Sequence, residues 1–365
     1  MVESVPNGQV LNGNSLRTPD LYRLKYSSNN QHKGAITSIK ISPDGTKYAT
    51  SSSDATINIF DINTGKVIAQ LRGHTKGISD IEFSPINSNI IASCSDDLTI
   101  RLWSIKKQKC INILRKHTYH ITAIKFTSKG NMLISGSADE TVTIWDLISG
   151  RTLKTLAAHS DPILSLSLTP DNSIIVSASY DGLMRLFDLE TGQCLKTLTY
   201  NSTSHGTATA STNDVLNFPI SNVELSPNGK YILSSSLDGK IRLWDYMDNT
   251  VIKTYNGIDS PISEKYNCGA KFITKTADPK VVSGSQSSGI LVWDVQSKAI
   301  EYQYKHDQCV LQVDTFDEGR ILVSCSIDGV INVFEMKPEY IKEFTATELE
   351  RSGTREETPI TPIEK

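Results

Sequence analysis

LISGSADETVTIWD, residues 133–146, decides the fold. Its first half alternates large apolar and small residues, a polar turn follows at Ala138, Asp139 and Glu140, and a second alternating run ends on Trp145. A period of two on both sides of a tight turn is the pattern of a β-hairpin. The same hairpin recurs as YATSSSDATINIFD (48–61), IASCSDDLTIRLWS (91–104) and IVSASYDGLMRLFD (175–188). It returns as ILSSSLDGKIRLWD (232–245), VVSGSQSSGILVWD (281–294) and LVSCSIDGVINVFE (322–335). From Phe60 to Trp103 is 43 residues; Trp103 to Trp145 and Trp145 to Phe187 are 42 each; Trp293 to Phe334 is 41. Phe187 to Trp244 is 57, and the surplus coincides with NSTSHGTATASTND (201–214), which reads as an inserted surface loop. A milder insertion around residues 258–266 stretches Trp244 to Trp293 to 49.

Composition narrows the class. A net charge of -3 over 365 residues gives no basic footprint, so no direct nucleic-acid partner is expected. No apolar run has membrane-spanning length, and no membrane partner is expected either. The six cysteines include no CxxC pair and read as reduced thiols of an intracellular protein. Residues 1–20 are polar, without a secretory leader, and read as a disordered arm. Residues 338–365 read as an acidic, disordered tail carrying Thr358-Pro359 and Thr361-Pro362, although Tyr340 to Phe344 offer side chains for packing on the last hairpin.

Seven hairpins at this period resemble the WD40 β-propeller family over residues 21–337, with four strands to a blade. The expected fold is therefore all-β, a seven-bladed WD40 propeller. Between the seven hairpins lie only six outer-strand segments, and residues 21–26, LYRLKY, supply the seventh. The resemblance implies that this N-terminal strand pairs onto the last blade and closes the ring. Deleting it is expected to destabilise the whole domain, whereas deleting residues 1–20 is not.

A serine, a histidine and an aspartate recur in a manner that imitates a hydrolase. The sets are His74, Ser93, Asp97 and Trp103; His117, Ser135, Asp139 and Trp145; and His159, Ser177 and Asp181 with Phe187. An active site is needed once, so a constellation repeated blade after blade is architectural. The reading is a relay in which aspartate fixes one histidine nitrogen, serine meets the other, and serine reaches the indole N–H. Where Phe60, Phe187 or Phe334 replaces tryptophan the last link is missing, and blade six has Ser287 in place of the aspartate. His117 and His120 form an isolated HxxH without a third ligand, so no metal is expected. No glycine-rich phosphate loop is present, and neither a cofactor nor an enzyme activity is expected.

Side chains just before each turn aspartate face the central opening of a propeller: Ser53, Asp96, Ala138, Tyr180, Leu237, Gln286 and Ile327. Beyond the general repeat, LKTLAAHSDP, SYDGL and GQCLKTL within residues 153–198 resemble one branch of the family, as do SPNGKYIL (226–233), LWDY (243–246) and SEKY (263–266). That branch is the seven-bladed subunit of COMPASS and mixed-lineage-leukaemia-type complexes, which methylate lysine 4 of histone H3. The resemblance implies two binding sites. One is a central pocket for a partner's arginine, to which Ser53, Ser79, Asp96, Tyr180, Ser221 and Tyr266 correspond. Thr122 and Gly269 stand where the branch has two sandwiching phenylalanines, and Leu164 and Asn267 also depart. A guanidinium loses on the order of 1 kcal/mol per missing ring, so a weakened arginine site is expected. The other is a groove between blades five and six for an acidic-hydrophobic segment, kept as Asn228, Tyr231, Leu243 and Gln296.

The resemblance implies a nuclear, non-catalytic scaffold that holds a second WD-repeat subunit and a SET-domain catalytic subunit, reaching the histone H3 tail only indirectly. The rival is a substrate receptor or adaptor of a ubiquitin ligase or of another multiprotein complex. A ligase receptor calls for an adaptor-binding domain, for which residues 1–20 leave little room. A G-protein β-type subunit calls for a helical N-terminus, and the pattern there is not helical.

Overall fold

The computed structural model describes residues 20–29, 31–200, 218–258 and 260–341. Almost all of the expected N-terminal arm, the loop at 201–214 and the tail beyond 341 lie outside the described residues. Seven four-stranded antiparallel sheets form the blades of a closed propeller. Blade one comprises Ile36–Ile41, Lys47–Ser52, Thr56–Asp61 and Val67–Arg72, from the channel outwards. The inner strands of blades two to seven are Ile78–Ser84, Ile121–Phe126, Ile163–Leu168, Ile220–Leu225, Ala270–Ile273 and Val310–Phe316.

Tyr22–Ser28 is the fourth strand of blade seven. It runs antiparallel to Ile331–Met336, with Tyr22 opposite Met336 and a bulge between Leu24 and Tyr26. Tyr22 is buried; its backbone N–H donates to the Tyr304 hydroxyl at 2.8 Å, and its own hydroxyl donates to the Gly319 carbonyl. The chain therefore locks its ends by hydrogen bonds to both blade six and blade seven. Pro338–Tyr340 adds a 3₁₀ turn whose Tyr340 ring meets Tyr302 edge-on, so the body of the propeller extends to residue 341.

No blade has a core of its own. Seven apolar clusters lie one at each junction: Ala49 and Ile59 of blade one pack with Ile81 and Trp103 of blade two, and so around to Val323 and Val333 of blade seven against Ile39 and Tyr48. The alternation seen in sequence follows, because each sheet buries both faces against its neighbours while its outermost strand faces solvent.

The inner strands are edges too, and their unpaired N–H groups take acceptors from the preceding blade. Gln312 and Asp314 side chains accept from the Ile39 and Ile41 N–H groups, each at 2.8 Å. Ser165 and Ser167 accept from Val223 and Leu225 at 3.2 Å. Buried backbone donors are thus satisfied across every junction where such a side chain is present.

Truncating Tyr22→Ala removes a buried ring and the hydroxyl bond to the Gly319 carbonyl, one of the bonds that close the circle. A loss of about 3–5 kcal/mol is expected, read as a lower denaturation midpoint in urea. A midpoint within error of the parent would show that the N-terminal strand does not hold the ring.

Candidate functional site

The three relays have the same geometry. In blade two the Trp103 indole N–H donates to Ser93 Oγ at 2.8 Å, Ser93 lies 2.7 Å from His74 Nε2, and His74 Nδ1 lies 2.8 Å from Asp97. Blade three repeats this with Trp145, Ser135, His117 and Asp139 at 2.8, 2.7 and 2.8 Å. Blade four has His159 between Ser177 and Asp181 at 2.7 and 2.9 Å, with Phe187 ending the chain of donors. A neutral histidine with its proton on Nδ1 lets every donor find one acceptor. The three serines are fully buried, so no substrate can approach their oxygens.

Burial holds the His74 imidazole below its ordinary value, although Asp97 pulls the other way. Burial alone would raise the Asp97 carboxyl, but hydrogen bonds from Thr99 and His74 outweigh it and hold the group down to about 2. In blade one His32 takes the same place against Thr50 at 2.8 Å, with burial again lowering its pKa. Among the described residues blade five has no histidine here. Arg242, buried, pairs with Asp238 and lies under the Tyr200 ring, its guanidinium carbon 3.9 Å from the ring centre. In blade six Trp293 donates instead to the Asn256 carbonyl at 3.0 Å.

The central channel gathers four of the eight expected pocket residues, Ser79, Thr122, Ser221 and Gly269, in one cavity with Leu164 and Asn267. Asp96 joins through its bond from Ser79 Oγ at 3.2 Å. Ser53, Tyr180 and Tyr266 occupy the turns around the mouth and do not line that cavity. The Thr122 hydroxyl is spent on the Gly136 and Ile163 carbonyls, joining blades three and four. A Cβ on Gly269 would meet nothing closer than 3.5 Å, so the pocket has room there for a side chain.

Deeper in the channel lies a feature that reading each blade separately missed. Lys40, Glu82, Lys125, Ser167, Glu224, Lys271 and Asp314 take equivalent positions on the seven inner strands. Their charges alternate around the ring except at Ser167. Glu82 lies 3.3 Å from both Lys40 and Lys125, and Lys271 lies 2.6 Å from Glu224 and 3.7 Å from Asp314. Burial would raise the Glu82 carboxyl, but Lys125 and Lys40 together hold it down to about 2. The signal was available in blades one to five as the residue preceding the last apolar residue of the inner strand, whereas Lys271 and Asp314 each stand two places before it.

Tyr231, Leu243 and Gln296 lie at the junction of blades five and six, and Asn228 stands in the turn of blade five that leads into the Tyr231 strand. Asn228 opens the Asn228-Gly229 turn, where φ of +68° at Gly229 lies in the region that favours glycine. Its Oδ1 accepts from Ser226 Oγ at 2.7 Å and the Lys230 N–H at 3.1 Å. Half-buried Tyr231 packs on the junction cluster that contains Leu243, Val281 and Trp293. Exposed Gln296 is tied to the blade five side by Lys253, whose Nζ donates to its backbone carbonyl at 2.8 Å and to its Oε1 at 3.0 Å. The sequence implies an aliphatic wall at Leu243. The residue is buried, because its strand is interior to the sheet and its side chain faces blade six, so it forms the floor.

A family model described as the WDR5 beta-propeller domain matches residues 28–335. The chain is 33% identical over 121 residues to the COMPASS component SWD3 of Saccharomyces cerevisiae, 30% of this chain and 37% of that protein. It is 33% identical over 69 residues to the WD repeat-containing protein VIP3 of Arabidopsis thaliana, 19% of this chain and 22% of that one. Transducin beta-like protein 3 of Bos taurus is 29% identical over 105 residues, 29% of this chain and 12% of the relative. The matches span well under half the length of these relatives.

His32, His74 and, in blade seven, His306, whose Nε2 lies 3.1 Å from Ser324 Oγ, are all harder to protonate folded than unfolded, burial being the cause in each. Below about pH 6.5 the unfolded chain therefore takes up protons that the folded chain refuses. Stability is whole above that value and declines as the pH falls towards the depressed folded pKa values. Melting temperature followed by circular dichroism from about pH 8 to about pH 5, at fixed ionic strength, is expected to drop; a flat profile would refute the neutral relay. Ser135→Ala, which strands the Trp145 N–H and His117 Nε2, is expected to cost roughly 1–3 kcal/mol at neutral pH.

Proposed function

The chain belongs to the WDR5 β-propeller domain family, and from that membership we propose that it is a scaffold subunit of a nuclear histone H3 lysine-4 methyltransferase complex of COMPASS type. The family is one of non-catalytic propellers that bind other proteins. The observation that carries the finer reading is the 33% identity to a COMPASS component over 121 residues. The groove chemistry supports it. At one junction Tyr231 and Leu243 offer an apolar base, and Asn228 and exposed Lys230 belong to the turn that leads into the Tyr231 strand. An extended segment of alternating apolar and acidic residues suits such a surface.

In this reading the groove holds the tail of a second WD-repeat subunit, and the catalytic SET-domain subunit is placed against the ring. The histone H3 tail is reached through those partners, with no direct contact to nucleic acid or membrane. The chain contributes position, not chemistry. The similarity to VIP3 and to transducin beta-like protein 3 supports a second reading, an adaptor in a different multiprotein complex. Purification of the tagged chain from nuclear extract, with identification of what accompanies it, separates the two.

Asn228→Ala combined with Tyr231→Ala is expected to weaken binding of the second subunit's tail by about tenfold or more, measured by calorimetry on protein with an unchanged melting temperature. Unchanged affinity would reject the groove. At the opposite face, Gly269→Phe with Thr122→Phe restores two rings to the pocket. About a fivefold gain per ring in affinity for an arginine peptide is expected, and absence of any gain would show that the missing rings are not what weakens the site.

A further inference from the structure

Blades three, four and five each send a lysine across to the next blade. Lys154, Lys196 and Lys253 lie opposite Ile144, Leu186 and Leu243 in their sheets. Each ammonium donates to backbone carbonyls in the neighbouring turn: Lys154 to Glu190, Lys196 to Tyr246 and Met247, Lys253 to Gln296. Three successive junctions therefore have the same frame, and what differs is the residue after the turn aspartate, Leu189, Tyr246 or Val295. Between blades four and five, Tyr246 is buried in the junction cluster, with its hydroxyl bonded to the Gly229 carbonyl at 2.6 Å. That ring plugs the junction. Between blades three and four, Leu189 is too short to do so.

The result is an open, mainly apolar groove of about 460 Å³. Its floor is Ile144, buried in the junction cluster, with Met132 and Leu189 packed against that cluster. Leu153, 52% exposed, forms the outer wall. Asp188 and Lys154 also line the groove, but both are committed: Asp188 caps its own turn at Thr191, and Lys154 holds the Glu190 carbonyl. Exposed Glu190 makes no ion pair among the described residues and leaves one free negative charge at the rim. Its counterpart between blades five and six is the neutral Gln296, whose side chain accepts from Lys253. The free charge at Glu190 thus sets this groove apart from that one.

We propose that the junction of blades three and four is a second peptide-docking groove, which takes an extended hydrophobic segment of a partner protein ending in a lysine or arginine opposite Glu190. Leucine- or valine-sized side chains enter between Leu153 and Leu189, and the partner's cation meets the Glu190 carboxylate. The groove is independent of the one between blades five and six, and the two can be occupied together.

A random twelve-residue phage-displayed peptide library, panned on the full chain carrying Asn228→Ala and Tyr231→Ala, tests this with the other groove silenced. Hydrophobic-basic sequences are expected to emerge. Fluorescence anisotropy of the selected peptides should then show about tenfold weaker binding to chain that also carries Glu190→Lys, and a similar loss with Leu153→Asp. Both side chains are exposed, and a melting curve verifies that each variant remains folded. Recovery of acidic peptides only, of no peptide, or of peptides indifferent to both substitutions would overturn the proposal. Recovery only on chain with Asn228 and Tyr231 intact would do so as well, while favouring the groove between blades five and six.

Discussion

Every feature of this protein depends on satisfying the edges of its sheets. A single blade exposes two rows of unpaired backbone groups and two apolar faces, so it cannot stand alone in water. The faces are covered by making each junction a core shared by two blades, as Ile81 and Trp103 share theirs with Ala49 and Ile59. The inner edges are covered by side chains from next door, such as Asp314 accepting from the Ile41 N–H. A linear array would still leave two terminal faces bare. Pairing of Tyr22–Ser28 with Ile331–Met336 removes that problem, because it makes the last blade from both ends of the chain.

The charged ring is a consequence of the same closure. Seven inner strands place seven side chains at one level of a narrow channel, and like charges there would repel in a setting of reduced screening. Lys40, Glu82 and Lys125 alternate in sign, and so do Glu224, Lys271 and Asp314, with Ser167 between the two sets. Breaking such a network on one side leaves an uncompensated charge, which costs more than the intact pairs contribute. The arrangement therefore favours one register and one closed form more than it adds stability.

The hairpins, the number of blades, the closing strand and the relay were legible because each is written locally and repeated. Asp139 stands four residues after Ser135, and Trp145 ten after it, in a hairpin whose register follows from its own turn. What was not legible needed two blades at once. Lys40 in ITSIKI reads as an ordinary outward residue until the other six inner strands stand beside it. Leu243 reads as a wall until the blade six side of the junction covers it. The Arg242–Asp238 pair escaped because blade five supplies the partner of its turn aspartate from within the hairpin, whereas the other relays take theirs, a histidine, from the segment that precedes the inner strand. The lysine clasps escaped for the opposite reason: Lys154 and Lys253 look like solvent-facing charges of an outer strand, and only the next blade gives them carbonyls to hold.

The two faces of the ring differ in what their side chains do for the ring itself. At the channel mouth, Thr122 uses its hydroxyl to join blades three and four, just as Thr37 joins blades one and two through the Ile78 carbonyl at 2.6 Å. A threonine there serves the ring itself, whereas a phenylalanine would serve only a ligand. At the opposite face, three successive junctions share one lysine clasp and differ in the side chain after the turn aspartate, Leu189, Tyr246 or Val295. A bound segment then meets a surface already shaped, and little of its binding energy goes into ordering the propeller. That is the physical sense in which a closed ring of repeated sheets suits a scaffold: rigidity comes from the repeat, and specificity from the few positions at which the repeat is broken.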